Sequence, residues 1–345
     1  MFHLYSGNRL EDLSVILGRI LALSPPQNAF QLENILVQSP GMAQWLKIEL
    51  AQQQGISAGI TFPLPSTFVW QCFQQAIDDI PGQSEFNKAY VTWRLMRILT
   101  SRLPQAEFAS LAWYLAADDS QMRLYQLCAS IADVYDQYLV YRPDWIAAWE
   151  EDSQEDQQLN TLTASQPWQA ILWRDLVADV AELGGALYHR ANLVEALRTA
   201  TRSRQRPKVL PERIFVFGVS SLPPNTLDAL RLMAEAGWIE MHLFVLNPCQ
   251  YYWGDIVDKH YLGRMIKKQP QKKGLLIDTL HLEANPLLAS WGRLGRDYIV
   301  QLLDMADQQL DVFEDFIEPD ASASLQSSSL LQWIQQDIFT LDNHG

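Results

Sequence analysis

The chain has 345 residues, of which 48% are hydrophobic and twelve are tryptophan. This apolar content is sufficient for a sizeable core and excludes an intrinsically disordered protein. The net charge of −14 argues against a broad nucleic-acid-binding surface, because phosphate contacts require Lys and Arg, although a local basic channel on an acidic body stays open. No apolar run reaches the roughly 18 residues of a transmembrane helix, so we predict no membrane span.

The N-terminal residues and the cysteines indicate a cytoplasmic protein. The segment MFHLYSGNRLEDL has neither a basic head nor an apolar stretch, so it does not predict a secretory signal. Cys72, Cys128 and Cys249 are odd in number and far apart. We therefore expect reduced, buried thiols and not disulfides.

The N-terminal part of the chain alternates between strand and helix patterns. We predict strands over 2–5 and 35–37, and helices over 8–23 and 42–54. Strands that alternate with helices predict βαβ units on a parallel sheet.

Apolar residues recur at helical spacing from about residue 63 to residue 205, and strand patterns are missing there. The predicted helices cover 66–79, 87–103, 106–116, 120–139, 143–150, 168–183 and 191–203. After Pro207 the α/β pattern returns, with strands over 213–219 and 239–246 and a helix between them that begins near Pro223 and Pro224. Two further helices are predicted over 286–303 and 325–341. This order predicts a discontinuous α/β domain that carries a helical insertion.

The residues that bind phosphate in an ATPase are missing from both expected positions. A P-loop needs a Gly-rich turn, a Lys and a Ser or Thr, but SGNRLEDL (6–13) follows the first strand. Its one cation is Arg9, and Glu11 and Asp12 would repel phosphate. After the strand RIFVFGV a hydrolytic NTPase would place an acidic pair, where this chain has Ser220 and Ser221. The sequence therefore predicts that the chain does not hydrolyse ATP.

Other catalytic patterns are also missing from the sequence. The six His residues are scattered without HxxxH or HExxH spacing, there is no CxxC and no GxSxG, and we predict no catalytic or metal-binding residue. Asp133 and Asp136 are three residues apart and share a helix face. A polar surface is the favoured interpretation of this pair, while a metal site and acceptors for base amino groups remain alternatives.

Aromatic and basic residues leave two further interpretations open. Trp70, Tyr141 and Trp145 could stack on bases, although a Trp is more often part of a core. Two basic clusters, at 202–213 and 264–273, are either solvated loops or a phosphate track.

Eight motifs occur in the order that a known family shows. They are ILVQSPGMAQWL, ITFPLPSTFVW, FNKAYVTWRLM, DQYLVYRPDW, YHRANL, FGVSSLPP, NPCQYYWGDI and NPLLASWGRLGRDY. In this order they resemble the RecC family, the gamma subunits of bacterial exodeoxyribonuclease V, from SGNRL (6–10) to the last predicted helix. Members of this family are considerably longer, so the chain is expected to correspond to their N-terminal part.

The resemblance implies an α/β fold of a particular kind. It is an inactivated superfamily-1 helicase domain (RecA-like, P-loop NTPase type) with a large all-α insertion. Residues 1–62 and 207–285 would form the degenerate RecA-like domain, similar to helicase subdomain 1A. Residues 63–206 would form the insertion, similar to subdomain 1B, and 286–345 the start of a further, truncated helicase-like region.

The resemblance also implies a function and partners. The chain would be a non-catalytic DNA-binding subunit of the RecBCD helicase–nuclease, exodeoxyribonuclease V, which acts in double-strand break repair by homologous recombination. Its partners would be the RecB and RecD subunits in a heterotrimer, a DNA fork and single-stranded DNA. The 3′-ended strand would pass through a channel where Chi is recognised. No cofactor and no small-molecule substrate are implied.

Chi-recognition positions carry over from the family by motif alone. They fall on Leu64, Trp70, Asp133, Val134, Asp136, Gln137, Arg142 and Arg190. Val134 replaces a Leu of the family pattern, and Gln137 replaces an Asp. Because Gln both donates and accepts hydrogen bonds, the preferred DNA sequence can differ from that of other members.

Three functional hypotheses remain at this point. The leading one is non-catalytic DNA recognition, and the second is an active helicase ATPase, which the missing Lys and acidic pair disfavour. The third is a protein–protein scaffold without DNA binding of its own, which the acidic net charge allows.

Overall fold

The computed structural model describes residues 1–26, 28, 30–116, 121–151, 157–203, 205–256, 285–316 and 329–342. The chain divides into two compact units. The first unit comprises 1–68, 211–222 and 237–345, and the second comprises 69–210 and 223–236. Within the described residues, no helix is long and apolar enough to cross a membrane.

The first unit is built on a six-stranded sheet in which every neighbouring pair is parallel. Its strands are β1 (Phe2–Gly7), β2 (Glu33–Val37), β3 (Ile60–Thr61), β4 (Arg213–Phe217), β5 (Glu240–Leu246) and β6 (Gln308–Val312). Their spatial order is β3-β2-β4-β5-β1-β6. The mixed α/β class and the parallel sheet that the sequence predicts are therefore confirmed.

Fourteen α-helices lie in the described part of the chain. They are α1 (Leu10–Leu23), α2 (Pro40–Gln54), α3 (Pro65–Ala76), α4 (Lys88–Arg102), α5 (Ala109–Leu115), α6 (Gln121–Tyr141), α7 (Pro143–Glu151), α8 (Gln157–Ser165), α9 (Trp168–Glu182), α10 (Leu193–Ser203), α11 (Pro224–Glu235), α12 (Pro286–Trp291), α13 (Arg293–Met305) and α14 (Leu330–Thr340). A 3₁₀ turn over Ala106–Phe108 precedes α5.

Helices α1 and α2 cover one face of the sheet in the first unit. Leu13 and Leu17 of α1 and Leu46 and Leu50 of α2 are fully buried in a cluster with strand residues, among them Phe215. The central strands β4 and β5 are buried over most of their length, and β4 carries the apolar run IFVF, as expected where both faces of a strand are covered.

The second unit is helical, and its core lies between α4, α6, α7 and α9. Trp173 and Tyr135 are its largest fully buried side chains, and their rings meet edge to face at 5.3 Å. The Tyr135 hydroxyl donates a hydrogen bond to the Gln169 carbonyl at 2.7 Å, so its polar atom is satisfied inside the core. This core fixes the inner face of α6 and leaves the opposite face free for polar residues.

The structure departs from the predicted elements mainly at the ends of the sheet. Strands β3 and β6 were not predicted, because β3 has two residues and the β6 sequence QQLDV lacks an apolar run. The helix predicted over 286–303 is interrupted at Gly292 and forms α12 and α13. Strand β4 ends before Gly218, whose φ of +62° is a left-handed conformation that interrupts the ladder.

Two segments group differently from the predicted domains. The segment 286–345 contributes β6, which pairs in parallel register with β1 in the sheet of the first unit. Helix α11 groups with the helical second unit. The boundaries 1–62 with 207–285, 63–206 and 286–345 stay a prediction.

Candidate nucleic-acid interface

The turn after β1, where a P-loop would bind phosphate, is filled by the chain itself. Asn8 donates through its side-chain amide to the Glu314 carbonyl at 2.6 Å and accepts from the Glu314 amide at 3.1 Å. Arg9 pairs with the Glu314 carboxylate at 2.8 Å and lies over the ring of Phe316. Burial and the nearby Glu314 charge raise the pKa of Asp12. Asn8 and Arg9 are thus committed to contacts within the chain.

The turn after β4 is also packed against the chain itself, in this case against apolar side chains. A Cβ atom placed on Gly218 would lie 3.3 Å from Met42 Cε and 3.6 Å from Leu10 Cδ2. The carboxyl ends of parallel strands are where α/β proteins bind their ligands. Two methyl groups pack against Gly218 at this end of the strand.

The predicted residues of α6 form a polar row on its outer face. Asp133 accepts hydrogen bonds from Lys88 Nζ and from Gln137 Nε2, the latter at 3.1 Å. The Lys88 ammonium lowers the pKa of Asp133, so the carboxylate is ionised at neutral pH. Val134 lies beside these groups with 36% of its surface exposed.

Arg190 joins this row from another part of the second unit. Its guanidinium lies 3.3 Å from an Asp136 carboxylate oxygen, and both side chains are partly exposed. The Asn225 side-chain amide on α11 donates to the carbonyls of Arg190 and Leu139, at 3.1 and 3.2 Å. Asn225 therefore holds the Arg190 loop against the end of α6.

Arg142 lies directly after α6, and its guanidinium contacts Asp144 and Trp145. Its guanidinium bonds both oxygens of Asp144, at 2.7 to 3.2 Å, and stacks 3.7 Å from the centre of the Trp145 ring. Trp145 also packs on the core of the second unit. One of its faces is thus covered by Arg142, whereas Tyr141 is 63% exposed.

The two residues of the FPLPSTFVW motif fall in different units. Leu64 belongs to the first unit and is 44% exposed just before α3. Trp70 belongs to the second unit, is partly buried on α3, and has an indole N–H without an acceptor among the described residues. The structure thus joins Asp133 to Gln137 and Asp136 to Arg190, while Trp70 lies on a separate helix of the same unit.

The first unit contains a group that the sequence patterns did not reveal. His3, Glu240 and His242 bring three potential metal ligands within 4.8 Å of one another. The Glu240 carboxylate accepts a hydrogen bond from His3 Nε2 at 2.8 Å, and the His3 ring stacks on His242 with an interplanar angle of 7°. Because imidazole nitrogens bind metals in the ring plane, two stacked rings do not direct their lone pairs to one point. The arrangement fits hydrogen bonding and stacking better than a metal site.

Two contacts of the predicted site residues join distant segments, so local sequence patterns do not indicate them. Lys88 lies in the FNKAYV motif but is 45 residues from Asp133, and Asn225 is 35 residues from Arg190. Of the two basic clusters, 264–273 lies outside the described residues. In the other, Arg213 forms an ion pair with Glu33 inside the first unit, and the two interpretations of the cluster stay open.

Comparison with known proteins identifies the family. The model of the family described as "RecC, N-terminal domain" matches residues 2–341. The RecBCD enzyme subunit RecC of Escherichia coli (strain K12) is 41% identical over 367 aligned residues, which cover 100% of this chain and 31% of that protein. The same-named subunit of Haemophilus influenzae is 36% identical and covers 99% of this chain and 34% of its own length.

A relative with lower sequence identity also matches nearly the whole chain. The RecBCD enzyme subunit RecC of Mycolicibacterium smegmatis is 23% identical over 97% of this chain and 28% of its own length. The chain thus spans about a third of the length of the curated relatives it matches. With a family match over nearly all of its residues, the chain belongs to the RecC family.

Proposed function

We propose that the chain is the non-catalytic, DNA-recognising part of a RecBCD-type helicase–nuclease. The observation that carries this proposal is the row of Asp133, Gln137, Asp136 and Arg190 on the outer face of α6 and beside it. These side chains are partly exposed, carry donors and acceptors side by side, and are held in position by a rigid helix core.

Each of these residues has a chemical role in reading an unpaired base. Carboxylates such as Asp133 and Asp136 accept hydrogen bonds from the amino group of cytosine, and the Arg190 guanidinium can donate two bonds to guanine. Gln137 donates and accepts, which suits adenine. In the free chain these groups form hydrogen bonds with one another, so DNA recognition would exchange one set of hydrogen bonds for another. Because the side chains are already ordered before binding, the entropic cost of ordering them on binding is lower.

The fold proposed for the first unit is an inactivated superfamily-1 helicase domain. Support comes from the turn after β1, where Glu314 occupies the hydrogen-bonding groups of Asn8 and Arg9. It also comes from Gly218, which packs on Met42 and Leu10. We expect no ATP hydrolysis by the isolated chain, and measurable turnover that disappears on substitution of Arg9 would argue against this fold assignment.

The names of the relatives supply the proposed assembly. They are subunits of RecBCD enzymes, so the chain would act with RecB and RecD in the cytoplasm on single-stranded DNA at a fork. Recognition of Chi on the 3′-ended strand, in homologous recombination, is the corresponding activity. This proposal includes three helicase-like regions. The first combines 1–62 and 207–285, the second is 63–206, and the third is 286–345.

A protein–protein scaffold is the second candidate function. It is favoured by the net charge of −14 and by the ion pairs that already engage Asp133, Asp136 and Arg142. In that case the α6 row would stabilise the helical unit without touching DNA.

Selection from a randomised pool of single-stranded oligonucleotides separates these candidates. The full chain, alone and with RecB and RecD, should enrich a defined sequence class. Arg190→Ala and Trp70→Ala should flatten that enrichment, with a loss of about 5- to 150-fold for a base contact of roughly 1–3 kcal/mol.

Arg198→Ala is the matched control for Arg190→Ala. Arg198 is also exposed in the second unit and also paired to a carboxylate, that of Glu195, but it is not part of the α6 row. It should leave the enrichment unchanged. Equal enrichment by wild type and Arg190→Ala would disprove the assignment of the row, and no enrichment by any form would favour the scaffold.

A further inference from the structure

A second exposed surface of the helical unit carries aromatic rings beside cations. We name it the α4–α6 aromatic patch and define it by Tyr90, Trp93, Arg97 and Tyr125. Trp93 is 63% exposed and Tyr90 is 44% exposed. The Trp93 and Tyr125 rings lie 5.5 Å apart at an angle of 46°. Large aromatic rings left open to solvent in a cluster are unusual and indicate an interaction site.

Arg97 of the patch faces outward, and the carboxylate that it contacts faces inward. Arg97 is 59% exposed, whereas Asp179, the carboxylate that it contacts, is 12% exposed and is shared with Arg94. Glu85 is the second partner of Arg94. A ligand at the patch would therefore meet the guanidinium of Arg97 before it meets a negative charge.

Helix α4 of the patch is basic within an acidic chain. It contains Lys88, Arg94, Arg97 and Arg102 and no carboxylate, whereas α6 carries Arg123 in its first half and Asp133 and Asp136 in its second half. Carboxylates do approach from other segments, since Asp175 pairs with Arg102 and Asp133 pairs with Lys88. The charge on α4 itself is complementary to a polyanion.

The patch continues the α6 row, which we propose to recognise bases. Helices α4 and α6 run antiparallel, because Lys88 meets Asp133 while Trp93 meets Tyr125. Tyr125 lies about three helical turns before Asp136 and therefore on the same face of α6. A strand that follows α6 would pass from the Asp136 and Arg190 pair over Asp133 to the aromatic rings.

From this geometry we propose that the α4–α6 aromatic patch is a stacking platform for single-stranded DNA. Aromatic rings bind bases of any sequence because every base has a π-face, and a nearby Arg contacts the phosphate. The patch thus supplies sequence-independent affinity next to the row that supplies selectivity. This inference rests on the proposed function, because it uses the same DNA strand.

The test measures binding of the full 345-residue chain to a labelled oligothymidine by fluorescence anisotropy. Trp93→Ala should weaken binding by about 5- to 150-fold, the effect of losing one stacked base. Trp93→Phe keeps the aromatic face and should restore most of the affinity. Arg97→Gln should lower the slope of log affinity against log salt by about 0.7, as expected for one lost phosphate contact on a single strand.

Trp291→Ala is the matched control, because Trp291 is 84% exposed in the first unit and is far from this patch in sequence. It should bind as the wild type does. Unfolding curves of each variant show whether a loss of DNA affinity follows from misfolding. If Trp93→Ala is misfolded, Trp93→Phe and Arg97→Gln decide whether the patch binds DNA.

The outcomes distinguish the patch from the recognition row. If Trp93→Ala binds normally while Arg190→Ala loses sequence selectivity, the patch proposal is wrong and the proposed function stands. If the wild-type chain does not bind oligothymidine at low salt, the patch proposal is wrong, and the selection with RecB and RecD decides the proposed function separately. If Trp93→Ala keeps DNA affinity but loses association with RecB or RecD, the patch is a protein interface and the DNA platform is disproved.

Discussion

Gly7 ends β1 at a point where the chain has no space for a side chain. A Cβ atom at this position would lie 2.5 Å from the Val312 carbonyl oxygen on the neighbouring strand β6. A backbone carbonyl in a sheet cannot move aside as the end of a flexible side chain can. The glycine therefore serves the packing of the chain against itself, and no phosphate is needed to explain it.

Gly7→Ala should destabilise the edge of the sheet by about 1–3 kcal/mol, the usual cost of overpacking. Urea-dependent hydrogen exchange at residues 2–7 and 308–312 measures this locally. Gly41→Ala is the control, since its nearest neighbour would be Ser39 Oγ at an ordinary 3.7 Å. Unchanged protection of β1 and β6 in Gly7→Ala would show that the two strands separate without cost.

His242 is a titratable group enclosed by the sheet of the first unit. Burial lowers its pKa to about 4, with help from the nearby His3, Arg213 and the N-terminal amino group, while Glu240 opposes the shift. Its ring also stacks on Phe215 at 5.0 Å. The folded state thus keeps His242 neutral at a pH where the unfolded state binds a proton.

The pKa of His242 predicts how stability depends on pH. Above pH 6.5 both states are neutral at this residue and its contribution is constant. As the pH is lowered from 6.5 to about 4, only the unfolded state takes up the proton. The free energy of unfolding therefore falls by up to about 1.4 kcal/mol for each pH unit of acidification. His242→Phe should remove this part of the slope in unfolding titrations between pH 5 and 6.5, and an unaltered slope would contradict it.

At the scale of elements, α2 shows how the local sequence begins a helix. Ser39 accepts a hydrogen bond from the Met42 amide at 3.2 Å, and Pro40 takes the first helical position. At the other end, Gly55 adopts a left-handed conformation with φ of +81°. These signals agree with the observed boundaries because they act within one turn of the helix.

Ser39→Ala should destabilise α2 by about 1 kcal/mol, because it leaves the Met42 amide without its cap. Ser39→Thr keeps the side-chain oxygen and should cost less. Hydrogen exchange of the first turn of α2 gives the measurement for both variants. Equal exchange in wild type and Ser39→Ala would indicate that water replaces the cap without loss.

Hydrophobic periodicity in the sequence predicts those elements whose pattern is visible among residues close to one another in the chain. The central strand β4, the helices α2 and α6, and the shared face of Asp133 and Asp136 all follow from periodicity. The edge strand β6 does not, because four of its five residues are exposed and it gains its partner only through β1. Lys88 and Asn225 were missed for a similar reason, since their contacts depend on tertiary structure.

For the whole molecule, the net charge of −14 bears directly on any binding to DNA. An acidic chain repels phosphate at long range, so attraction has to come from a few local cations such as Arg190 and Arg97. Both are more than half exposed, although each is paired to a carboxylate. Binding by the isolated chain is therefore expected to be weak and sensitive to ionic strength.

A titration of single-stranded DNA at several salt concentrations tests this expectation. Log affinity should fall linearly with log salt, with a slope of about −0.7 for each phosphate contacted. Two to three such contacts would give a slope of roughly −2, well below that of a dedicated DNA-binding protein. A double-stranded competitor of equal length gives the control, and binding that does not respond to salt would rule out phosphate contacts.

The position of β1 between β5 and β6 has a consequence for biosynthesis. His3 contacts Glu240, 237 residues later, and Ser6 contacts Asp311, 305 residues later. At roughly 5–20 residues per second on the ribosome, these partners emerge on the order of 10–60 s after the first strand. The helical second unit, most of which is continuous over 69–210, is synthesised in the meantime. Strand β1 therefore stays without its two neighbouring strands while the chain between them is synthesised.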